Sequence, residues 1–282
     1  MITVTALDPL RRQIGLARAA GKSVGLVPTM GALHEGHRSL VRRARRECPF
    51  VAVSIFVNPL QFGPSEDLAR YPRRPEEDAA SLEAEGVDLL YRPDPASFYP
   101  ADFSTAVEVR SVSEGGEGAV RPGHFRGVST VVAKLFLQVQ PDAAFFGRKD
   151  LQQVAVVRRL VRDLDFPLRL VVGETVREKD GLALSSRNAY LSQEERRRAA
   201  LFPKALFSAG DRFAAGQHDA RRLERETREE LERAGLTVDY VDVVDPESMR
   251  SLEAARPGAA VAAAIRIGRT RLIDNILLPE KR

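Results

Sequence analysis

Up to about Val172 the chain alternates short apolar runs with longer stretches of helical spacing, an alternation that few folds can satisfy. Runs of strand length stand at 24–27, 50–57, 87–91, 143–146 and 168–172. Between them lie helix-like stretches at 8–21, 76–85, 128–139 and 151–164, and a basic helix that ends at Glu47. Strands in strict alternation with helices need crossover connections, which are right-handed and give a parallel sheet. The runs are apolar throughout, as strands covered on both faces must be. The expected fold is therefore α/β, a Rossmann-like doubly wound parallel sheet.

After about Gly173 the pattern changes. Two charged helices are expected at 193–215 and 219–234, then hairpin-spaced strands at 237–244, 260–267 and 270–276, which together make a small α+β domain. A chain of 282 residues accommodates two domains of ordinary size. The expected division is 1–175, a nucleotide- and acid-binding domain, and 176–282, a smaller lid domain, with the boundary near 172–176. Arg and Glu interleave on the later helices, as in RRLERETREE at 221–230, which describes a solvated face laced with i,i+4 pairs. With a net charge of only +4 and no Trp, a nucleic-acid partner is not expected. Cys48 is the only cysteine, so it can form neither an intramolecular disulfide nor a thiolate zinc cluster, and packing is its expected role. No apolar run approaches the ~20 residues of a membrane span, and the first residues lack signal-peptide character, so the expected location is cytoplasmic.

The chemistry begins at PTMGALHEGH, residues 28–37, where the first strand of the sheet feeds a turn and then a helix. His34 and His37 lie three apart in the first helical turn, so both rings project from one face. The helix N-terminus supplies unpaired N–H groups and the positive dipole end, which attract phosphate, while Gly31 and Gly36 permit close approach of a ligand to the backbone. A lone HxxH has duller readings: a cap and a packing histidine, or a two-histidine zinc site, which lacks a third ligand. HxGH directly after the first parallel strand favours a different one, the nucleotidyl-transferase fingerprint, in which the histidines stabilise charge developing at the α-phosphorus of ATP.

Two further segments suit that chemistry. FFGRKDLQQ at 145–153 ends a strand, turns at Gly147 and offers Lys149, Asp150 and Gln153 at the next helix start. Lys149 would neutralise phosphate, and the neutral amide of Gln153 suits a hydroxylated acid. KDGLALSSRN at 179–188 is a loop with two hydroxyls and a cation that can close over a triphosphate. The plain alternatives are an ordinary strand-turn-helix and a linker.

PTMGALHEGH, FVNPLQF, ARYPR, RPGHFRGV, FFGRKDLQQ and DGLALSSRN stand in this order along the chain, which closely resembles the pantothenate synthetase family. The resemblance implies an ATP-dependent condensation of pantoate with β-alanine through a pantoyl adenylate, in the superfamily of the class I aminoacyl-tRNA synthetases. It implies that Thr29, Met30, Gly31, Ala32, Leu33, His34, Glu35, Gly36 and His37 line the ATP site, with His37 the catalytic histidine and His34 its partner. Lys149 joins them in catalysis. Gly147, Arg148, Lys149, Asp150, Val176, Leu184, Ser185, Ser186 and Arg187 would contact ATP. Gln61 and Gln153 would hold pantoate, with Asn58, Tyr71, Arg121 and His124 in supporting places. The family more often has an acidic or amide residue at the position of Arg148, which leaves the ATP contact there open. Mg²⁺ is implied with the ATP, its protein ligands unknown, and the acids Glu76, Glu77 and Asp78 are better read as the charged first turn of a helix than as its outer shell. A homodimer is also implied.

Overall fold

The computed structural model describes residues 1–64 and 66–280. Six strands, β1 (Ile2–Val4), β2 (Val24–Thr29), β3 (Phe50–Ile55), β4 (Leu89–Tyr91), β5 (Ala143–Gly147) and β6 (Arg169–Gly173), form a parallel sheet in the order β1-β4-β3-β2-β5-β6. The chain builds outward from β2 through β3 to β4, then returns to add β5 on the other side of β2. The carboxyl ends of β2 and β5 thus meet at the switch point, where open α/β sheets bind ligands.

Helices α1 (Leu7–Ala19), α2 (Glu35–Glu47), α3 (Pro75–Ala84), α4 (Pro95–Phe98), α5 (Glu117–Val120), α6 (His124–Val139) and α7 (Leu151–Asp163) accompany the strands. Leu40, Val41 and Ala44 of α2 and Leu82 of α3 share one core with Val27, Val51, Val53, Leu90, Phe145 and Val171. The alternate strand positions Leu26, Ala52, Leu89 and Ala144 are equally buried outside that core, so they face the other way, and α1 and α6 both contact β2. Both faces are covered, as the unbroken apolarity of the strands requires. Cys48 belongs to the first of these cores: a Cβ on Gly25 would lie 3.1 Å from its Sγ, and burial pushes the thiol pKa up.

A second, antiparallel sheet of β7 (Thr237–Val244), β8 (Ala260–Ile267) and β9 (Thr270–Leu277) packs with α8 (Gln193–Ala199), α9 (Leu201–Ala214) and α10 (Ala220–Arg233) around Phe202, Leu206, Phe213, Leu223, Leu231 and Ile265. The α/β parallel sheet and the small α+β sheet are those expected. Several details differ. The helix expected at 193–215 breaks at Ala200 because Pro203 has no N–H to donate four residues back. The helix expected from residue 128 starts at His124, behind Gly123 in the left-handed conformation. β2 runs on through Pro28: Val24 O accepts from Asp142 N, so even positions face β5, whose pairing with β2 ends at Leu26. The missing N–H of Pro28 therefore costs no ladder bond. The edge strand β1 was not expected at all.

The chain groups into two compact units. The first comprises Met1–Val109, Pro122–Arg148 and Val156–Glu174; the second comprises Arg110–Arg121, Lys149–Ala155 and Thr175–Arg282. Gln152 ties the two inner segments of the second unit to each other: its amide donates to Val112 O and Gly115 O and accepts from Glu117 N. Glu117 in turn receives Arg271 through both oxygens, at 2.6 and 2.7 Å, and the hydroxyl of Tyr240.

Candidate active site

In the first unit, the turn after β2 is shaped from below. Thr29 Oγ1 donates to Ser54 O at 2.9 Å and accepts from Gly31 N, and Gly31 and Ala32 take positive φ of 84° and 50°. A single carboxylate then fixes the turn: the buried Asp78 of α3 accepts from Ala32 N at 2.8 Å and from Leu33 N at 2.7 Å. Asp78 is thus committed to this loop, whereas Glu76 and Glu77 are the exposed acids of a first helical turn.

His34 caps α2, its Nδ1 accepting from Gly36 N at 3.1 Å, while His37 Nδ1 accepts from His34 N at 3.3 Å. The two rings stand 4.0 Å apart, centroid to centroid. An imidazole that accepts at Nδ1 carries its neutral-state proton on Nε2, so the capping box sets the tautomer of both rings and gives each an N–H donor. Glu35 is turned into ion pairs with Arg38 and Arg42.

Gln61 lies in a short 3₁₀ turn, Pro59–Gln61, capped by Asn58. Asn58 Nδ2 donates to Gln61 Oε1 at 2.9 Å, Gln61 Nε2 lies 3.1 Å from Met30 Sδ, and His124 Nδ1 donates to Gln61 O at 2.8 Å. Met30, Asn58, Gln61 and His124 are therefore brought together. Gly127 allows α6 this close, since a Cβ there would fall 2.1 Å from Leu60 O. Tyr71 packs edge-on against Phe62. At the end of β5, Gly147 passes to Arg148, whose guanidinium pairs with Glu174 beyond β6. The side chain that departs from the family pattern is thus spent on a neighbouring strand end.

The other expected residues belong to the second unit. Lys149 Nζ lies 3.2 Å from Asp150, and Lys149 O accepts from Asn275 of β9 at 2.9 Å. Gln153 is half-buried, with no hydrogen-bond partner for its amide among the described residues. Arg121 is 3.6 Å from Glu117, which burial would push up in pKa but which Arg271 and Arg121 hold below the usual carboxylate range. Residues 176–184 fold back on themselves: Leu184 N donates to Val176 O, Glu178 N to Leu182 O, and Gly181 turns the corner at φ +92°. Ser185 caps the following turn, Ser186–Tyr190, by accepting from Arg187 N at 3.3 Å. Arg177 anchors the hairpin with both arms on Asp274, at 2.6 and 2.9 Å, and with bonds to Gly181 O and Asn275 O.

Sequence reading did not single out Asp78 as a loop anchor, nor Tyr99, Gln152, Arg177, Asp274 or Asn275. Arg177 and Asn275 act over 97 and 126 residues of chain, and no local signal marks such partners.

Residues 2–277 match the model of the family described as pantoate-beta-alanine ligase. A pantothenate synthetase from Acidobacterium capsulatum is 55% identical over 260 residues, covering 92% of this chain and 87% of its own. One from a Roseiflexus species is 51% identical over 280 residues, 99% of each chain. The crystal structure of pantothenate synthetase from Thermus thermophilus superposes with a TM-score of 0.93 at 49% identity, over 99% of this chain and 100% of that one. That of pantoate-beta-alanine ligase from Francisella tularensis, complexed with beta-gamma ATP and beta-alanine, gives 0.82 at 31% identity, over 98% and 97%.

Proposed function

The chain belongs to the pantoate-beta-alanine ligase family, and we propose from that premise how its own residues perform the reaction. It is an ATP-dependent ligase that condenses pantoate with β-alanine, giving pantothenate, AMP and pyrophosphate through a pantoyl adenylate. The observation that carries the residue assignment is the capping box, which engages Nδ1 of both His34 and His37 at the N-terminus of the helix that follows β2 and so leaves the neutral-state proton of each on Nε2.

In the first half-reaction the carboxylate of pantoate attacks the α-phosphorus in line, and pyrophosphate leaves. His37, with His34 beside it, stabilises the charge spreading over the phosphoryl oxygens, and Lys149 neutralises phosphate. Residues 29–36, 147–150, 176 and 184–187 hold ATP, with Arg148 contributing backbone only. Gln61 and Gln153 hold pantoate, supported by Asn58, Tyr71, Arg121 and His124. In the second half-reaction the free amine of β-alanine attacks the acyl carbon, the tetrahedral intermediate collapses, and AMP departs with the bridging oxygen. We keep the division of the sequence into 1–175, for ATP and pantoate, and a smaller 176–282, with Arg110–Arg121 and Lys149–Ala155 of the first stretch grouping with the second compact unit.

Mg²⁺ belongs to this reading as the companion of ATP. Among the described residues no group of three His, Cys, Asp or Glu is placed to hold a metal ion, and Asp78 is engaged elsewhere. That suits an ion carried by the nucleotide, which takes its ligands from phosphate oxygens and water. When bound, it would offset the charge of the β- and γ-phosphates. No helix among the described residues is long and apolar enough to cross a membrane. A cytoplasmic homodimer is the assembly we propose, with sedimentation as its check.

The function is tested by mixing the protein with ATP, Mg²⁺ and pantoate, with and without β-alanine. Steady AMP release should require both acids, and release of ADP instead would overturn it. For the pantoate assignment, Gln61→Ala and Gln153→Ala should each raise the KM for pantoate far more than that for ATP.

A further inference from the structure

Asn58 is 1% exposed and its amide is fully engaged. Nδ2 donates to Gln61 Oε1 and to Gly127 O, at 2.9 and 3.1 Å; Oδ1 accepts from Leu60 N at 3.3 Å and from the hydroxyl of Tyr99 at 3.0 Å. The roles of Leu60 N and Gly127 O are fixed, because a backbone N–H can only donate and a carbonyl can only accept. They set which end of the Asn58 amide carries oxygen. With Nδ2 directed at Gln61, the oxygen of that amide is drawn to Asn58 and its nitrogen lies on the side of Met30. Gln61 is thereby turned to offer donors, which is what an acid bearing a carboxylate and hydroxyls requires.

Tyr99 completes this chain from 41 residues away. Its ring is wedged among Phe98, Phe103 and Phe56, at centroid distances of 4.9, 4.9 and 5.8 Å, with Lys134 Nζ 6.0 Å from its own centroid. A ring so confined leaves the hydroxyl one place to go. Burial also pushes the phenol pKa well up, so the group keeps its proton at any working pH. We propose that Tyr99 is a positioning residue for pantoate, acting through Asn58 to hold Gln61 with its amide nitrogen toward the substrate. The proposal rests on Gln61 as a pantoate ligand and adds to it a residue that touches no substrate.

Tyr99→Phe keeps the ring and removes the one hydrogen bond, so the fold is preserved and only the relay is cut. The KM for pantoate should rise about five- to tenfold, with the KM for ATP unchanged. In a Gln61→Ala background the same substitution should add less than about twofold, because nothing is left to position. Multiplying effects in the double variant, an unchanged pantoate KM in Tyr99→Phe, or an equal rise for ATP would each overturn the proposal. If Gln61→Ala itself leaves the pantoate KM unchanged, the assignment of Gln61 fails, and the positioning role with it.

Discussion

The two stretches to which the proposal assigns ATP contacts, residues 29–37 and the segment 176–187, look alike as sequence, since both mix small residues with hydrogen-bonding side chains. They are held in different ways. The first is anchored within its own unit: Thr29 ties the turn to β3, Asp78 of α3 takes two consecutive backbone N–H groups, and His34 and His37 form the capping box of α2. The second hangs on ion pairs, with Arg177 on the buried Asp274 and Arg196 on Glu178 and Asp180. A turn fixed through backbone dipoles is preorganised, which suits groups that stabilise a transition state. A hairpin held by charged side chains can be released by breaking few contacts, which suits a segment that admits and discharges a nucleotide.

Substitutions at these anchors can break the contrast. The largest effect is expected from Arg177→Met, which leaves the Asp274 side chain, 1% exposed, without its cation. Loss of such a partner costs about 3–5 kcal/mol, readable as a fall in denaturant midpoint. Burial pushes the Asp274 carboxyl up in pKa against the pull of Arg177, so the loss should lessen in acid, where the carboxyl takes a proton. A loss under about 1 kcal/mol would mean that the ion pair does not anchor the hairpin.

Asp78→Ala comes next. It strands two N–H donors in the first turn, at a cost of about 2 kcal/mol, and should lower kcat for the reaction while the hairpin stays intact. If only the KM for ATP moved, the turn would be a binding device like the hairpin, and the contrast would dissolve.

The smallest effect belongs to Arg196→Ala, at about 0.5 kcal/mol near neutrality, because the Arg196 side chain is partly exposed. The hydrogen bond from Arg196 holds the Asp180 carboxyl below its ordinary 3.8. A depressed folded-state pKa contributes stability above the unfolded value and loses it as pH falls through the folded one. The difference between wild type and variant should therefore be present at neutral pH and fade below about pH 3.8, as thermal unfolding across a pH series would show. A difference that grew in acid would reverse the sign of the interaction.

How much of this was legible beforehand follows the range of the interactions. Both sheets and the strand-turn-helix at residues 28–37 stand in the sequence because their signals are local: periodicity, a glycine turn, a motif. The three-residue β1 carries too little pattern to read, and it forms because Ile2, Thr3 and Val4 find Leu89, Leu90 and Tyr91. Pro203 divides α8 from α9 and could have been weighed as a breaker. Asp78 was grouped with Glu76 and Glu77 because a charged first turn is the ordinary fate of such residues, and only its burial against Ala32 and Leu33 separates it from them. The grouping of Arg110–Arg121 with the second unit depends on Glu117 meeting Arg271, a pairing across 154 residues.

The central claim is that the preorganised turn acts on the transition state. It is tested most directly by single-turnover pyrophosphate release from His37→Ala in the presence of pantoate. Adenylate formation should slow by on the order of 10²-fold or more, with the dissociation constant for ATP changed only modestly. A near-normal rate, or a loss wholly recovered by raising ATP, would contradict the account.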